Sequence, residues 1–290
     1  MKIREVLAKA KEVLDSKGVS NGKLDSLILL SHTFFIFGLD SSREKIIFNP
    51  DLELSNEQLS QFFELIERRA NFEPISHIIG KREFFGRDFI VNSNVLDPRP
   101  DSETLIELVF EKNLNKDQKI NILELGVGSG CLILTLLKSY KNAQGVAVDI
   151  SDEALKVCKK NAINHEAQSQ LQLIKSDLFQ SLKPDQFFDL IISNPPYIAS
   201  QEINSLQPEV KLFEPRLALD GGLDGLDFYR RIADKAQDFM NKNARIIIEI
   251  GFGQEDEIVE IFSQKKFIFE EMKRDLAGVV RVLSFIKKIN

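Results

Sequence analysis

Cysteine and histidine are scarce in this chain, and their scarcity excludes several chemistries. The two cysteines, Cys131 and Cys158, make no disulfide framework and lack zinc spacing. Both fall in segments that read as helix, where core packing is the simpler role. The three histidines, His32, His77 and His165, are scattered and suggest neither a metal cluster nor a catalytic triad. Positive charge is not in excess. The formal charge of −6 argues against a generic nucleic-acid binder, which carries a basic footprint, although not against an RNA-associated protein partner. Long apolar runs are also missing. The most apolar stretch, Leu27 to Phe37, is interrupted by Ser31, His32 and Thr33, and it is about half the length that spans a bilayer. The start, Met1-Lys2-Ile3-Arg4-Glu5-Val6, has no continuous apolar segment, so no secretory signal is expected and the expected setting is the reducing cytoplasm. There is no internal repeat and no low-complexity segment.

What is present is a globular balance, 43% hydrophobic and 28% charged, in 290 residues, enough for one large or two modest domains. Residues 1–80 read as helices. Ile3, Val6, Leu7, Ala10, Val13 and Leu14 recur at helical spacing, with Gly18 as a stop. Leu24 to Phe37 predicts a second helix and Arg43 to Phe48 a short third. Ser55 sets up a capping box with Gln58 ahead of the stripe Leu59, Phe62, Phe63 and Ile66. From Pro74 to Val95 the period changes, and Glu83 to Val91 reads as a hairpin turning at Gly86-Arg87. The prolines of Asp97-Pro98-Arg99-Pro100 delay the next helix until the acids of Asp101-Ser102-Glu103, which places the domain junction there.

Beyond residue 105, strands and helices alternate. Strands are predicted over 120–125, 145–150, 171–174, 188–193, 245–250, 267–271 and 279–286. Helices are predicted over 131–137, 152–164, 226–240 and 255–263. Apolar strands alternating with helices mean a parallel sheet covered on both faces, and the final pair of strands adds an antiparallel edge. The expected architecture is α/β: a doubly wound, mostly parallel seven-stranded sheet over 105–290, a β-hairpin linker over 81–104, and a small all-α domain over 1–80.

Two stretches carry chemistry. Glu124-Leu125-Gly126-Val127-Gly128-Ser129-Gly130 follows the first strand of the sheet domain and opens its first helix, where glycines let the backbone turn sharply and approach a ligand. Asp149 ends the next strand, placed to accept ribose hydroxyls. Asp177 ends the third, where an adenine would lie. These features alone fit either a dinucleotide or S-adenosylmethionine. The second stretch is Asn194-Pro195-Pro196-Tyr197, at the end of the apolar run Phe187 to Ser193. Asn194 is neither acid nor base but a fixed donor and acceptor. The prolines stiffen the turn and remove N–H donors, and Tyr197 can cover a planar group. Such a site suits a planar substrate bearing N–H₂. Its nitrogen lone pair is delocalised, so holding both hydrogens on Asn194 Oδ1 and the Pro195 carbonyl favours pyramidalisation and in-line attack on a donor methyl. Proximity of this kind lowers the barrier by several kcal/mol without a strong general base.

With these residues in view, the chain resembles the release factor glutamine N5-methyltransferases, the HemK or PrmC family, over nearly its whole length. Pro74-Ile75-Ser76-His77-Ile78-Ile79-Gly80 with Phe84, Phe85 and Phe89 is similar to the family's hairpin signature. Asp97 to Glu103 resembles its Pro-Arg-Pro-Glu-Thr-Glu element, and Asn194 to Tyr197 its Asn-Pro-Pro-Tyr. Glu214 to Leu226, Glu249-Ile250-Gly251 with Gln254, and Arg274 to Gly278 with Arg281-Val282 resemble later signatures. The resemblance implies a Rossmann-like class I methyltransferase that methylates the glutamine of the Gly-Gly-Gln loop in class 1 peptide release factors, with S-adenosylmethionine as donor. It implies donor contacts from Glu124, Gly126, Val127, Gly128, Ser129, Gly130, Asp149, Asp177, Leu178, Phe179 and Asn194. It assigns substrate binding to Asn194, Pro195, Pro196 and Tyr197, with Asn194, Pro195 and Tyr197 central to transfer, and docking of the release factor to the N-terminal helices. Three departures stand out: Glu124 where the family has Asp, Asp101-Ser102 for Glu-Thr, and no aromatic at Leu178. The alternatives are the sister activity on ribosomal protein L3, adenine-N6 methylation of DNA, and a donor-binding module without activity.

Overall fold

A computed structural model describes residues 1–112 and 119–287. Residues 113–118 and 288–290 of the expected sheet domain lie outside the described residues. The chain divides into two compact units, one of Met1–Gly80 with Gln207–Phe213, the other of Lys81–Leu206 with Glu214–Asn290.

The first unit is helical: α1 (Ile3–Ser16), α2 (Gly22–Ile36), α3 (Arg43–Phe48), α4 (Asn56–Ala70), α5 (Ile75–Ile79) and the short helix α9 (Pro208–Phe213). Ile3, Val6, Ala10 and Leu14 of α1 are all buried, as their spacing requires. The capping box forms: the Gln58 N–H donates to Ser55 Oγ at 3.2 Å, and the Ser55 N–H to Gln58 Oε1 at 2.8 Å. Arg69 is buried and donates to Asp25 at 2.7 Å and to Glu209 of α9. A guanidinium out of water needs such partners, and they recruit residues 207–213 to this unit from far along the chain.

The second unit starts with the hairpin β1 (Lys81–Phe84) and β2 (Arg87–Ile90). Its turn is Phe85-Gly86, both at positive φ, one residue earlier than expected. There follow α6 (Glu103–Glu111), β3 (Asn121–Leu125), α7 (Cys131–Ser139), β4 (Gln144–Asp149), α8 (Asp152–Asn164), β5 (Leu171–Lys175), β6 (Phe188–Ser193), α10 (Asp227–Lys235), β7 (Met240–Glu249), α11 (Glu255–Gln264), β8 (Phe267–Arg274) and β9 (Val280–Lys287). The seven sheet strands run in the order β5-β4-β3-β6-β7-β9-β8. Strands β3 to β7 are parallel, and β9 and β8 form the antiparallel edge. The doubly wound sheet expected from the alternation is the one found.

The order reverses between β3 and β6, whose last residues, Leu125 and Ser193, are register partners. The loops after these two strands therefore leave the carboxyl edge side by side, at the switch point where open α/β sheets bind ligands. One helix boundary differs from expectation. α10 ends at Lys235, a 3-10 turn covers Ala236–Phe239, and β7 already starts at Met240. The polar run Asn241-Lys242-Asn243 hides the strand start in sequence, but Met240 and Ala244 are buried and Asn241 donates to Asp189 of β6 at 2.7 Å. No helix among the described residues is long and apolar enough to cross a membrane.

Candidate active site

The glycine-rich loop between β3 and α7 lines one side of a cavity of about 380 Å³, within the size range of small-molecule sites. Gly126, Gly128 and Gly130 all have positive φ, and a Cβ on Gly130 would lie 2.6 Å from Cys158 Sγ. Glycine takes these left-handed conformations without strain, and at Gly130 a side chain would also clash. Glu124, Gly126, Val127, Gly128 and Ser129 line the cavity, whereas Gly130 turns away to start α7.

Asp149, at the end of β4, also lines the cavity. Its Oδ2 accepts the Gly128 N–H at 3.0 Å and its Oδ1 the Ser151 N–H at 2.9 Å. These bonds lock the carboxylate to the loop and partly offset burial, which raises its pKa. Glu124 is wholly buried, and its Oε2 accepts the Ile133 N–H at 3.0 Å, across the first turn of α7. Burial pushes its pKa well up; that N–H opposes the rise and the Asp149 charge adds to it.

Asp177 and Leu178 follow β5 and line the cavity. Leu178 takes a left-handed conformation, φ 51°, which sends the next side chain the other way. Phe179 is accordingly buried in the core, stacked on Phe239 at 5.2 Å, and does not line the cavity.

Asn194 and Pro196 reach the cavity from the β6 end; Pro195 and Tyr197 stand behind them. The turn is held from several sides. Ser193 Oγ donates to the Leu125 carbonyl at 2.8 Å. Gln254 Nε2 donates to the Tyr197 carbonyl at 3.0 Å, while its Oε1 accepts the Gly251 N–H at 3.0 Å. Ile198 pairs with the chain at Asp220. A Cβ on Gly221 would meet the Pro196 carbonyl oxygen at 2.8 Å, and one on Gly225 the Tyr197 carbonyl oxygen at 2.4 Å. The long signature around Gly221 to Gly225 thus forms the bed on which the Asn-Pro-Pro-Tyr turn lies.

Behind Asn194 is a network that sequence reasoning did not find. Asn194 Nδ2 donates to Ser102 Oγ at 3.1 Å, and both side chains favour the charged form of the nearby Glu249 carboxyl. Glu249 is fully buried at the end of β7, and its Oε2 has no partner among the described residues. Burial raises its pKa to about 7, against the lowering effect of Ser102, Arg281 and Asn194. Tyr197, close by, is pushed up to about 12, mainly by burial. Asp97, Arg99, Phe228 and Arg231 also line the cavity and were not assigned from sequence. Among the described residues no group of His, Cys, Asp and Glu is placed to hold a metal ion.

A family model described as the PrmC N-terminal domain matches residues 5–80, and one described as the methyltransferase small domain matches residues 101–213. The release factor glutamine methyltransferase of Geobacter sulfurreducens is 40% identical over 281 residues, covering 97% of this chain and 95% of that protein. The chain belongs to the release factor glutamine methyltransferase family. The bifunctional methyltransferase of Rickettsia conorii is 37% identical over 307 residues, 98% of this chain, but the chain spans only 57% of that longer relative. A methyltransferase crystal structure from Pyrococcus furiosus, 17% identical, superposes with a TM-score of 0.52 over 81% of this chain and 100% of its own, and shows the shared fold. The resemblance drawn from the signatures is therefore borne out, and family membership implies a methyl donor.

Proposed function

We propose that this protein transfers a methyl group from S-adenosylmethionine to the side-chain amide nitrogen, N5, of the glutamine in the Gly-Gly-Gln loop of class 1 peptide chain release factors. One observation carries the reading. The pairing of Leu125 with Ser193 brings the glycine loop and the Asn-Pro-Pro-Tyr turn to one cavity, so donor and amide can meet. The cavity's chemistry fits the donor. The glycine loop allows close backbone approach, Asp149 keeps lone pairs for ribose hydroxyls, and Glu124 and Ser129 lie on the cavity wall toward the amino-acid end. When bound, S-adenosylmethionine supplies an electrophilic methyl on a sulfonium.

The chain's own residues do the rest. Ser102 accepts from the Asn194 N–H₂, which leaves Asn194 Oδ1 to accept from the substrate amide. A main-chain carbonyl of the same turn accepts the other amide hydrogen. Held so, the nitrogen points its lone pair at the methyl, forms the C–N bond as the donor's C–S bond breaks, and then loses one proton to solvent. Proximity and desolvation supply the rate, and no strong base is required. The helical domain over residues 1–80 docks the release factor, the hairpin over 81–104 links it, and 105–290 carries the reaction in the cytoplasm. Exposed Phe35, Ile36 and Phe48 on the helical unit support the docking role.

The Asn194→Ala variant tests this reading. Turnover on a release factor should fall by about 100- to 1,000-fold, the scale for removing an aimed polar group. S-adenosylhomocysteine binding, measured by calorimetry, should stay within about threefold. Equal loss of both would contradict the role given to Asn194.

A further inference from the structure

Phe228 of α10 is the single aromatic among the described residues lining the cavity. The strand ends provide only aliphatic cover, Ile150 after β4 and Leu178 after β5, because Phe179 is spent in the core. Phe228 is firmly placed. The Arg231 guanidinium lies over its ring at 5.5 Å from the centroid, and Arg231 Nη2 donates to Asp177 Oδ1 at 2.7 Å. Gln180 Nε2 holds the other Asp177 oxygen at 3.2 Å. Neighbouring Tyr229 and Ile232 anchor α10 in the core, and Tyr229 Oη donates to the Glu249 carbonyl at 3.0 Å.

The strand order fixes which end of a ligand this ring meets. Along the carboxyl edge the order runs from β6 with Asn194, through β3 and β4 with Asp149, to β5 with Asp177. Strands lie about 4.8 Å apart, so the edge from β6 to β5 measures about 14 Å. A donor whose methyl meets Asn194 and whose ribose meets Asp149 must project its base toward Asp177, Leu178 and Phe228.

We propose that Phe228, braced by the Arg231–Asp177 ion pair, is the aromatic wall against which the donor's adenine stacks. The inference rests on the cavity being the donor site. Every nucleobase has a π-face that gains from an aromatic neighbour. Buried Tyr229 and Ile232 hold α10 and thus the Phe228 backbone in place before binding, so little freedom is lost on stacking.

The test uses a second feature of the sequence: the chain has no tryptophan. Phe228→Trp therefore creates a single fluorescent reporter at the proposed wall. Its emission should be quenched on titration with S-adenosylhomocysteine or adenosine, and not with methionine. In parallel, Phe228→Ala should weaken S-adenosylhomocysteine about tenfold by calorimetry, in line with the loss of one base–aromatic stack, and leave the KM for the release factor unchanged. Undiminished binding by Phe228→Ala, with wild-type binding intact, overturns the wall alone. So does saturating S-adenosylhomocysteine that leaves the tryptophan emission unchanged. Failure of the wild-type protein to bind S-adenosylhomocysteine overturns the donor reading and the wall with it.

Discussion

A carboxyl buried as deeply as that of Glu249 is stable only when paired or protonated. Ser102, Arg281 and Asn194 favour its charged form, but burial outweighs them and raises its pKa from 4.5 to about 7. The folded protein thus holds a proton that the unfolded chain releases between these values. The stabilising contribution is complete below about pH 4.5 and is lost as pH rises through about 7. Glu249→Gln keeps the shape and removes the titration. Between these limits wild type should lose stability relative to the variant, by on the order of 3 kcal/mol at most. Urea denaturation of both proteins across this pH range reads the difference. Parallel profiles would show that Glu249 does not titrate as its surroundings require.

At the scale of elements, the Asn-Pro-Pro-Tyr turn acts only as well as its bed allows. Gly225 sits at φ 77° with no room for a side chain, since a Cβ would come within 2.4 Å of the Tyr197 carbonyl oxygen. That atom is backbone and cannot swing aside. Gly225→Ala should displace the turn by a fraction of an ångström to an ångström and lower kcat by about 100-fold, the scale reported for such misplacement. S-adenosylhomocysteine binding should change little, because the glycine loop and Asp149 are untouched. An unchanged kcat would mean that the bed does not set the geometry of the turn.

Elements whose signals are local were legible in the sequence. Helix α8 starts where Ser151 caps it, with the Ala154 N–H donating to Ser151 Oγ at 3.2 Å. Strand β6 is an apolar run bounded as expected. The glycine loop and the turn stood out because glycine and proline mark special backbone. Legibility ended where meaning depends on distant partners. Nothing near Asn161 shows that its side chain ties Ile90 of the hairpin to Ser129 of the glycine loop, at 2.7 to 3.0 Å. Glu249 was visible only as part of a signature, since its partners Ser102 and Asn194 come from other elements. Asp177 could be assigned to the strand end, but not its pairing with Arg231. The direction of Phe179 depended on the φ of Leu178, which side-chain type does not announce.

The whole molecule consists of two compact units. The sheet unit holds the cavity in which donor and amide are proposed to meet; the helical unit is proposed to recognise the protein that presents the amide. Family membership makes a methyl donor firm, and the identity of the acceptor is the central claim. It is tested by incubating the purified protein with S-adenosylmethionine and a recombinant class 1 release factor, then weighing the Gly-Gly-Gln peptide and fragmenting it. The account predicts a gain of one methyl, located on the glutamine side chain. No gain, or a methyl on any other residue, would contradict it.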